Sequence, residues 1–471
     1  MKRLPVIGLV VLVTALSMLA QDTARLSRGV HPIDRSSDTD PRQFAFLATI
    51  LKDAEVVALG ESIHTTHEFP IVRLGIIRYL NENLGFHVMA TEGSPVDVWA
   101  AEDRFLQSLR TSQDATEAQK GLPFVWVTPE VRQIFEYQAA SWNTNNKFYI
   151  TAYDVQPGLS VASPDASAFR LLASRLAAYA PLPSGVDTEA WVKNMAPITH
   201  ACLNYQQSDQ QGVIDGIHML EEWIERAALA VGKRFPDLPH ATVLQHMPSN
   251  LRASLQRCKD LERDFSRYKG VRDTNASRFV LELKEALPGR KLMLWAHVSH
   301  ISINGDGGFQ FSIGEFMHRE LGPRFYSFAA FAESGGAVVI FDDWKEDLGY
   351  TRVNGMRGEL GKRLGQLSDQ DYFLDFRQGG AFDDPMFSKP EAMWLEGGQK
   401  DLTLARDFDG IIWIKSIHAP DLPLGKLLLL SLWHWRKILT IAVVVVPLCV
   451  LIGIMYLKSR RRNQVRGQSN L

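Results

Sequence analysis

The feature that most constrains this fold is a short apolar stretch that runs directly into acidic and imidazole side chains. Residues 56–68 read VVALGESIHTTHE, in which the apolar run ends at Gly60 and is followed by Glu61 and His64. A short apolar run bounded by glycine is typical of a buried strand. We therefore expect the polar residues after Gly60 to lie in a functional loop at the end of a strand.

Three more strand-like runs end in the same way. Residues 86–91 lead to Glu92, residues 148–153 lead to Asp154, and residues 292–296 lead to His297. Ligands of open parallel sheets bind at the carboxyl ends of the strands, and neighbouring strands lie about 4.8 Å apart. The pattern predicts that these side chains share one pocket, although any one of them alone could be an ordinary polar residue that closes a strand.

The order of strands and helices indicates an α/β fold with a mostly parallel sheet and flanking helices. A helix predicted from His67 to Leu84 separates the first two strands, which favours a right-handed crossover between parallel neighbours. Residues 160–270 carry helical periodicity without a strand signal, so we expect a helical insertion that stands over the strand ends. Further strands are predicted within 325–331, 337–341, 372–376 and 410–414, whereas 379–402 resembles a loop.

The N-terminus has the pattern of a secretory signal. Lys2 and Arg3 precede an apolar run that reaches Ala20, so we predict a signal peptide over residues 1–20, with an uncleaved anchor as the alternative. Residues 21–42 are polar and are predicted to be a linker.

A second apolar segment lies near the C-terminus. Residues 438–457 contain no charge over twenty positions, which is long enough for a transmembrane helix. The tail at 458–471 has five basic residues and no acidic one, which predicts a cytoplasmic C-terminus. A buried core helix is the alternative. We expect a single-pass protein of the cell membrane, with its body in the periplasm or at the cell exterior.

Charge and cysteine content limit the functions further. The formal net charge is −2, which argues against nucleic acid as a partner because phosphate binding needs a basic surplus.

Cys449 falls in the predicted membrane segment, and Cys202 and Cys258 fall in the helical insertion. In an exported protein these two form either a disulfide or a pair of free thiols, and the sequence leaves both open.

Two H-x-x-H pairs raise the question of a metal. His64 with His67, and His297 with His300, have a spacing that suits metal ligation on a helix. Both pairs directly follow strands, so helical spacing need not apply. The competing interpretation needs no metal or other cofactor: one histidine activates water, and a carboxylate orients that histidine.

At this point the sequence resembles the erythromycin esterase family over about residues 44–420. The resemblance is carried by four motifs, which are Gly60, Glu61, His64 and Glu68; Gly85, Phe86 and Glu92; Arg272 and Asp273; and Trp295, Ala296, His297 and His300. It implies a catalytic domain over 43–420 that hydrolyses a small-molecule ester or macrolactone, with water activated without metal.

The resemblance also implies residue roles. His64 and His297 are the two histidines from which the general base would come, Glu92 is the acidic partner, and Glu61 supports them. Substrate binding and support would fall to the remaining motif residues, which are Glu68, Arg272, Asp273 and His300.

Three positions depart from the family pattern. Thr65 stands where the family has glycine, and Val298 and Phe279 stand where it has asparagine. The last two changes remove amide groups that could bind substrate or orient a histidine. They weaken the expectation of a macrolide substrate, and of a role in antibiotic resistance, more than that of hydrolysis.

The sequence therefore predicts a membrane-tethered hydrolase that cleaves an ester or lactone. Two alternatives remain, namely a non-catalytic extracytoplasmic domain that binds a ligand in the same crevice, and a metal-dependent hydrolase that uses the H-x-x-H pairs.

Overall fold

The structure, a computed structural model, describes residues 29–421 apart from 36–39, 109, 200–201, 203–204, 206–207, 262–264, 287–288, 290, 305–310, 343–346, 355–357, 378–386 and 397. The predicted signal peptide at 1–20, transmembrane helix at 438–457 and basic tail at 458–471 lie outside these residues. Within the described ranges, no helix is both long and apolar enough to cross a bilayer.

An eight-stranded sheet and two small two-stranded sheets account for the strands of the described chain. In chain order the strands are β1 (Val30–Ile33), β2 (Val56–Glu61), β3 (Phe86–Thr91), β4 (Tyr149–Ala152), β5 (Lys291–His297), β6 (Phe325–Ala332), β7 (Ser334–Asp342), β8 (Asp347–Asn354), β9 (Asp371–Asp375), β10 (Glu391–Leu395), β11 (Gly398–Leu402) and β12 (Gly410–Ile414).

The main sheet confirms the predicted α/β class. Its order is β1-β9-β12-β6-β2-β5-β3-β4, and every pair from β12 to β4 is parallel. The pairs β1-β9 and β9-β12 are antiparallel and form one edge. The four strands β2, β5, β3 and β4 are consecutive, as the shared pocket at their ends requires.

Helices fill the intervals between strands. They are α1 (Leu47–Ile50), α2 (Glu68–Leu84), α3 (Pro95–Gln107), α4 (Ser112–Gln119), α5 (Pro129–Ser141), α6 (Ser167–Leu176), α7 (Thr188–Met195), α8 (Gln210–Arg234), α9 (His240–Leu261), α10 (Phe265–Ala286), α11 (Val298–Ile301), α12 (Ile313–Leu321), α13 (Glu359–Leu367) and α14 (Leu404–Asp407). The described part of the predicted insertion contains α6 to α9 and the start of α10. Helix α10 therefore begins inside the predicted insertion, at Phe265, and ends beyond it, at Ala286.

Part of the predicted linker is an edge strand, which corrects the interpretation of residues 21–42. Strand β1 pairs antiparallel with β9, and Ile33 at its end is 1% exposed. Arg35 then forms an ion pair with Asp371, with Nε 2.5 Å from Oδ2. A four-residue strand that contains Pro32 gives little signal in the sequence, and proline is tolerated at a sheet edge because one side needs no ladder hydrogen bond.

The strands that lead to the predicted pocket are buried on both faces, as expected of a parallel sheet covered by helices. All residues of β2 and β6 are buried. Gly60 is packed so closely that a Cβ atom there would overlap the Ile301 side chain of α11, which explains the glycine. This close packing places α11 directly behind the end of β2.

The described residues divide into two compact units. The first contains the described residues of 29–337 and 352–421, with the main sheet and the site residues discussed below. The second contains the described residues of 338–351, which belong to β7 and β8.

A disulfide bond joins Cys202 and Cys258, which are 56 positions apart. It connects the segment before α8 to α9 and so decides the alternative that the sequence left open.

Candidate active site

Four neighbouring strand ends bring together the acidic and imidazole residues. Glu61 is the last residue of β2 and lies opposite His297, the last residue of β5. Glu92 follows β3 and Asp154 lies just beyond β4, and all four residues are buried. The convergence expected from the strand-end pattern is therefore present.

His64 is held by the carboxylate of Glu61. Its Nδ1 lies 2.9 Å from Glu61 Oε1, which also accepts a hydrogen bond from Trp126 Nε1 at 2.6 Å. The other oxygen, Oε2, lies 2.7 Å from the Arg73 guanidinium. Glu61 is completely buried, so its position is fixed and the ring orientation of His64 is fixed with it.

A residue that the sequence analysis missed, Glu396, faces the other side of His64. Glu396 lies in the turn between β10 and β11, within the interval that resembles a loop in the sequence. Its Oε2 accepts a hydrogen bond from the His64 backbone N–H at 2.8 Å and lies 3.9 Å from His64 Nε2. The backbone N–H of Glu396 donates to Ser62 O at 2.8 Å. The hairpin turn is thereby attached to the loop that carries His64.

These surroundings favour the protonated form of His64. Burial alone would lower the pKa of His64, but the carboxylates of Glu396, Glu61 and Glu92 outweigh it and raise the pKa to about 9. His64 therefore has a strong affinity for a proton at the centre of the site.

His297 lies beside His64 and has the opposite character. The two ring centroids are 5.3 Å apart. Burial and the positive charge expected on His64 lower the pKa of His297 to about 3, against a smaller opposing effect of Glu92. Two neighbouring imidazoles whose pKa values are displaced in opposite directions can play different roles in one reaction.

Both ring nitrogens of His297 are occupied. Nδ1 accepts from the Ser299 backbone N–H at 3.2 Å and from the Ser299 hydroxyl at 2.7 Å. Nε2 lies 3.2 Å from Ser62 O, and this network assigns the proton to Nε2. In this arrangement the neutral ring is a donor, and its lone pair is directed at Ser299.

Glu92 connects β5 to the helices α10 and α11. One carboxylate oxygen, Oε2, accepts from the His297 backbone N–H at 2.8 Å. The other, Oε1, lies 2.8 Å from Arg272 Nη2 and 3.1 Å from His300 Nε2. Burial would raise the pKa of Glu92, but His300 and Arg272 hold it well below its usual range. Glu92 is therefore an ionised anchor at the centre of a charged network.

Arg272 and Asp273 join the site from α10. Arg272 bridges two strand ends, because it bonds both Glu92 and Asp154. Asp273 accepts from His300 Nδ1 at 2.9 Å. Burial opposes protonation of His300, but Asp273 and Glu92 raise its pKa to about 10. The strand-end pattern predicted Asp154 in the shared pocket, but the family motifs gave it no catalytic or binding role.

Glu68 lies apart from these contacts. It is in the first turn of α2, and both of its carboxylate oxygens contact His418, at 2.7 Å from the backbone N and 2.6 Å from Nδ1. Glu68 therefore attaches the end of the described chain to α2.

The three departures from the family pattern are all buried. Thr65, Val298 and Phe279 are at most 4% exposed. The ring of Phe279 packs against the His246 ring at 4.4 Å. An amide at position 279 would point into this aromatic contact, so the side chain fits the packing of α9 on α10.

The H-x-x-H pairs do not converge on one centre. His64 binds Glu61, whereas Nδ1 of His67 lies 2.8 Å from Glu130 Oε1. Within the described chain, one group of three potential ligands has donor atoms within 4.8 Å of one another, and it consists of His67, Glu130 and Asp421. It lies at the N-terminal ends of α2 and α5 and includes none of the predicted catalytic histidines.

Comparisons with known proteins concern the family and the fold of this chain. The sequence model of a family described as "Erythromycin esterase" matches residues 81–417. "Putative hydrolase YbfO" of Bacillus subtilis (strain 168) is 20% identical over 441 residues, which cover 83% of this chain and 90% of that protein.

Three solved structures have the same fold. A Bacillus cereus protein has a TM-score of 0.66 and covers 86% of this chain and 99% of its own. A succinoglycan biosynthesis protein has a TM-score of 0.62 and covers 86% of this chain and 98% of its own. A variant of the erythromycin esterase EreC in its open conformation has a TM-score of 0.59 and covers 81% of this chain and 96% of its own. Each is 15% identical to this chain, so the likeness concerns the fold alone.

Proposed function

The chain belongs to the erythromycin esterase family, and from that premise we propose that it cleaves an ester or lactone bond with a water molecule activated at His64. Family membership and the relative named as a hydrolase support a hydrolase. The finer assignment, to ester bonds and to particular residues, is our proposal.

The observation that carries the proposal is the hydrogen bond between Glu61 and His64 Nδ1 at 2.9 Å. A buried carboxylate on one ring nitrogen fixes the tautomer and stabilises the imidazolium that forms when the other nitrogen takes a proton. His64 Nε2 then serves as the base for a water molecule. General base catalysis of this kind contributes about 10²- to 10⁴-fold.

His297 has a complementary role in this scheme. Its neutral ring donates from Nε2, and the Nε2 hydrogen bond to Ser62 O spans 3.2 Å. We assign it to stabilising the oxyanion that develops on the substrate carbonyl, which requires its Nε2–H to exchange Ser62 O for the substrate oxygen, with Glu92 holding its backbone. This departs from the expectation that His297 is an equal candidate for general base, because the pKa of His297 is lowered to about 3 and such a ring is a weak base.

A covalent serine mechanism is the nearest alternative within the site, since the Ser299 hydroxyl lies 2.7 Å from His297 Nδ1. The same low pKa argues against it, because a base that weak activates a hydroxyl poorly. The absence of a G-x-S-x-G elbow in the sequence supports the same conclusion.

The cellular setting stays as the sequence predicts it. We propose an exported body tethered to the cell membrane by residues 438–457, acting on a small-molecule ester or lactone and without nucleic acid as a partner. The Cys202–Cys258 disulfide supports export, because disulfides persist in oxidising compartments.

The test is hydrolysis of a panel of p-nitrophenyl esters and macrolactones by the purified full chain, with and without chelator. We expect turnover that survives chelation and falls at least about 100-fold in H64A. H67Q is the matched control, since His67 has a similar position in the same loop and binds Glu130 instead. Loss of activity with chelator would favour the metal-dependent alternative. Full activity of H64A would refute the assignment, and a folded protein without turnover of any probe would favour a ligand-binding domain.

A further inference from the structure

We propose that Glu396 is a further catalytic residue, which holds the hydrolytic water jointly with His64. This inference rests on the proposed function and extends it to a residue for which the sequence offered no motif. Glu396 comes from the β10–β11 hairpin, 332 positions after His64.

The hairpin turn places the carboxylate with little freedom. The Glu396 side chain is 7% exposed, its backbone N–H is bonded to Ser62 O, and Oε2 accepts from the His64 backbone N–H. Two hydrogen bonds thus fix the turn against the catalytic loop on both sides of residue 63. The backbone bond positions the turn, whereas the bond at Oε2 depends on the glutamate side chain.

The separation of the two functional atoms suits a shared water. His64 Nε2 and Glu396 Oε2 are 3.9 Å apart, which is too long for a direct hydrogen bond. One water oxygen can lie about 2.8 Å from both atoms, so a bridging water fits this separation. The water would then have one O–H directed at the imidazole and one at the carboxylate.

The step balances with these two groups. The water oxygen forms a bond to the ester carbonyl carbon while its proton passes to His64 Nε2 and the carbonyl π pair moves to the carbonyl oxygen. The resulting oxyanion then re-forms the carbonyl double bond, the bond from that carbon to the leaving oxygen breaks, and Nε2 gives the proton to the leaving oxygen. Glu396 stays ionised throughout, orients the water, and stabilises the imidazolium between the two proton transfers.

The charges around His64 agree with this role. The titratable groups that face its ring are Glu61 on the Nδ1 side, Glu396 on the Nε2 side, and the more distant Glu92 and His297. Among the carboxylates, Glu396 has the largest effect in raising the pKa of His64. A buried negative charge next to Nε2 favours the proton on the atom that must receive it from water.

The first experiment measures the pKa of His64 by NMR in the full chain with isotope-labelled histidine. The His64 signal is assigned from its loss in H64Q. In E396Q, which keeps shape and removes charge, we expect the pKa of His64 to fall by about 1 to 3 units. E391Q is the matched control, because Glu391 begins the same hairpin at the end of β10 away from the turn.

The second experiment uses p-nitrophenyl butyrate as the probe. At pH 9.5, where His64 is mostly neutral in both proteins, we expect kcat of E396Q to fall at least tenfold with KM within about twofold, because the lost interaction involves water rather than substrate. E396D keeps the charge but retracts it, so its His64 pKa should stay closer to native while kcat falls.

The outcomes separate this inference from the proposed function. A lowered His64 pKa together with lower kcat in E396Q supports the role of Glu396. If E396Q matches E391Q in either measurement, Glu396 has no catalytic role. If the native chain hydrolyses no ester while E396Q still lowers the His64 pKa, the proposed function fails and the coupling of Glu396 to His64 is nevertheless supported.

Discussion

Raising the pH from 7 to 9 should increase kcat/KM by more than tenfold, and the reason lies in the two carboxylates beside His64. A general base must be neutral before it can accept a proton. Since Glu396 and Glu61 overcome burial and raise the pKa of His64 to about 9, only about 1% of His64 is neutral at pH 7 and about half at pH 9. We therefore expect log kcat/KM to rise by about one unit per pH unit below pH 8 and to level off above pH 9.

The assay is a pH–rate profile with p-nitrophenyl butyrate between pH 6 and 9.5, corrected for spontaneous hydrolysis. We expect the protein to stay folded over this interval. The raised pKa of His300 determines in which direction the free energy of unfolding changes with pH. Asp273 and Glu92 raise the pKa of His300 to about 10 in the folded state. Its contribution to the free energy of unfolding is therefore complete below its unfolded pKa of about 6.5, and it is lost as the pH rises through 10. Circular dichroism at each pH confirms that the measured rates belong to folded protein.

Two results would refute this reasoning. A flat profile would mean that no group with a displaced pKa controls the reaction. A break near pH 6.5 would mean that the controlling histidine has an ordinary environment, in conflict with the two carboxylates around His64. H67Q should retain the native profile, because His67 contacts Glu130 rather than the catalytic cluster.

Three further predictions concern stability and the charged network. Replacing Cys202 and Cys258 with alanine opens a loop of 56 residues and should lower the free energy of unfolding by about 4 kcal/mol, measured by urea denaturation without reductant; an unchanged midpoint would contradict it. Ile33→Ala should cost about 3 kcal/mol and Ile33→Val about 1 kcal/mol, since this edge-strand residue is 1% exposed, and equal melting temperatures for both variants would argue against β1. Arg272→Ala leaves Glu92 buried without one of its cations, so it should lower the free energy of unfolding by about 3 kcal/mol and lower kcat. Arg272→Lys should recover part of both quantities. An Arg272→Ala variant with native stability and kcat would exclude the ion pair as a structural element.

The central part of the site could be predicted because it follows from the rules of parallel sheets. Apolar runs that end at Glu61, Glu92, Asp154 and His297 indicated strands with polar ends, and the structure places those strands side by side. Order along the chain could not give this adjacency, because β5 is inserted between β2 and β3 from 200 residues downstream. The family resemblance supplied the rest of the histidines and carboxylates.

What the sequence did not reveal lies in short elements without periodicity. Strand β10 has the apolar residues Ala392, Met393, Trp394 and Leu395 in succession, so no alternation identified it as a strand. The two glycines after Glu396 were the available hairpin signal. His418 was equally hidden, because its partner Glu68 is 350 positions away and no local pattern links the two.

The hairpin that carries Glu396 stands outside the eight-stranded sheet, and this separation has a consequence for how such a site can diversify. The sheet fixes Glu61, Glu92 and His297 by burial, so substitutions in its strands are expected to lower the stability of the fold. The turn that carries Glu396 contacts His64 directly, so a change of charge at this one position acts on His64 without altering a strand of the main sheet. Charge changes at position 396 are accordingly the direct way to alter the pH dependence of this site while the main sheet stays unchanged.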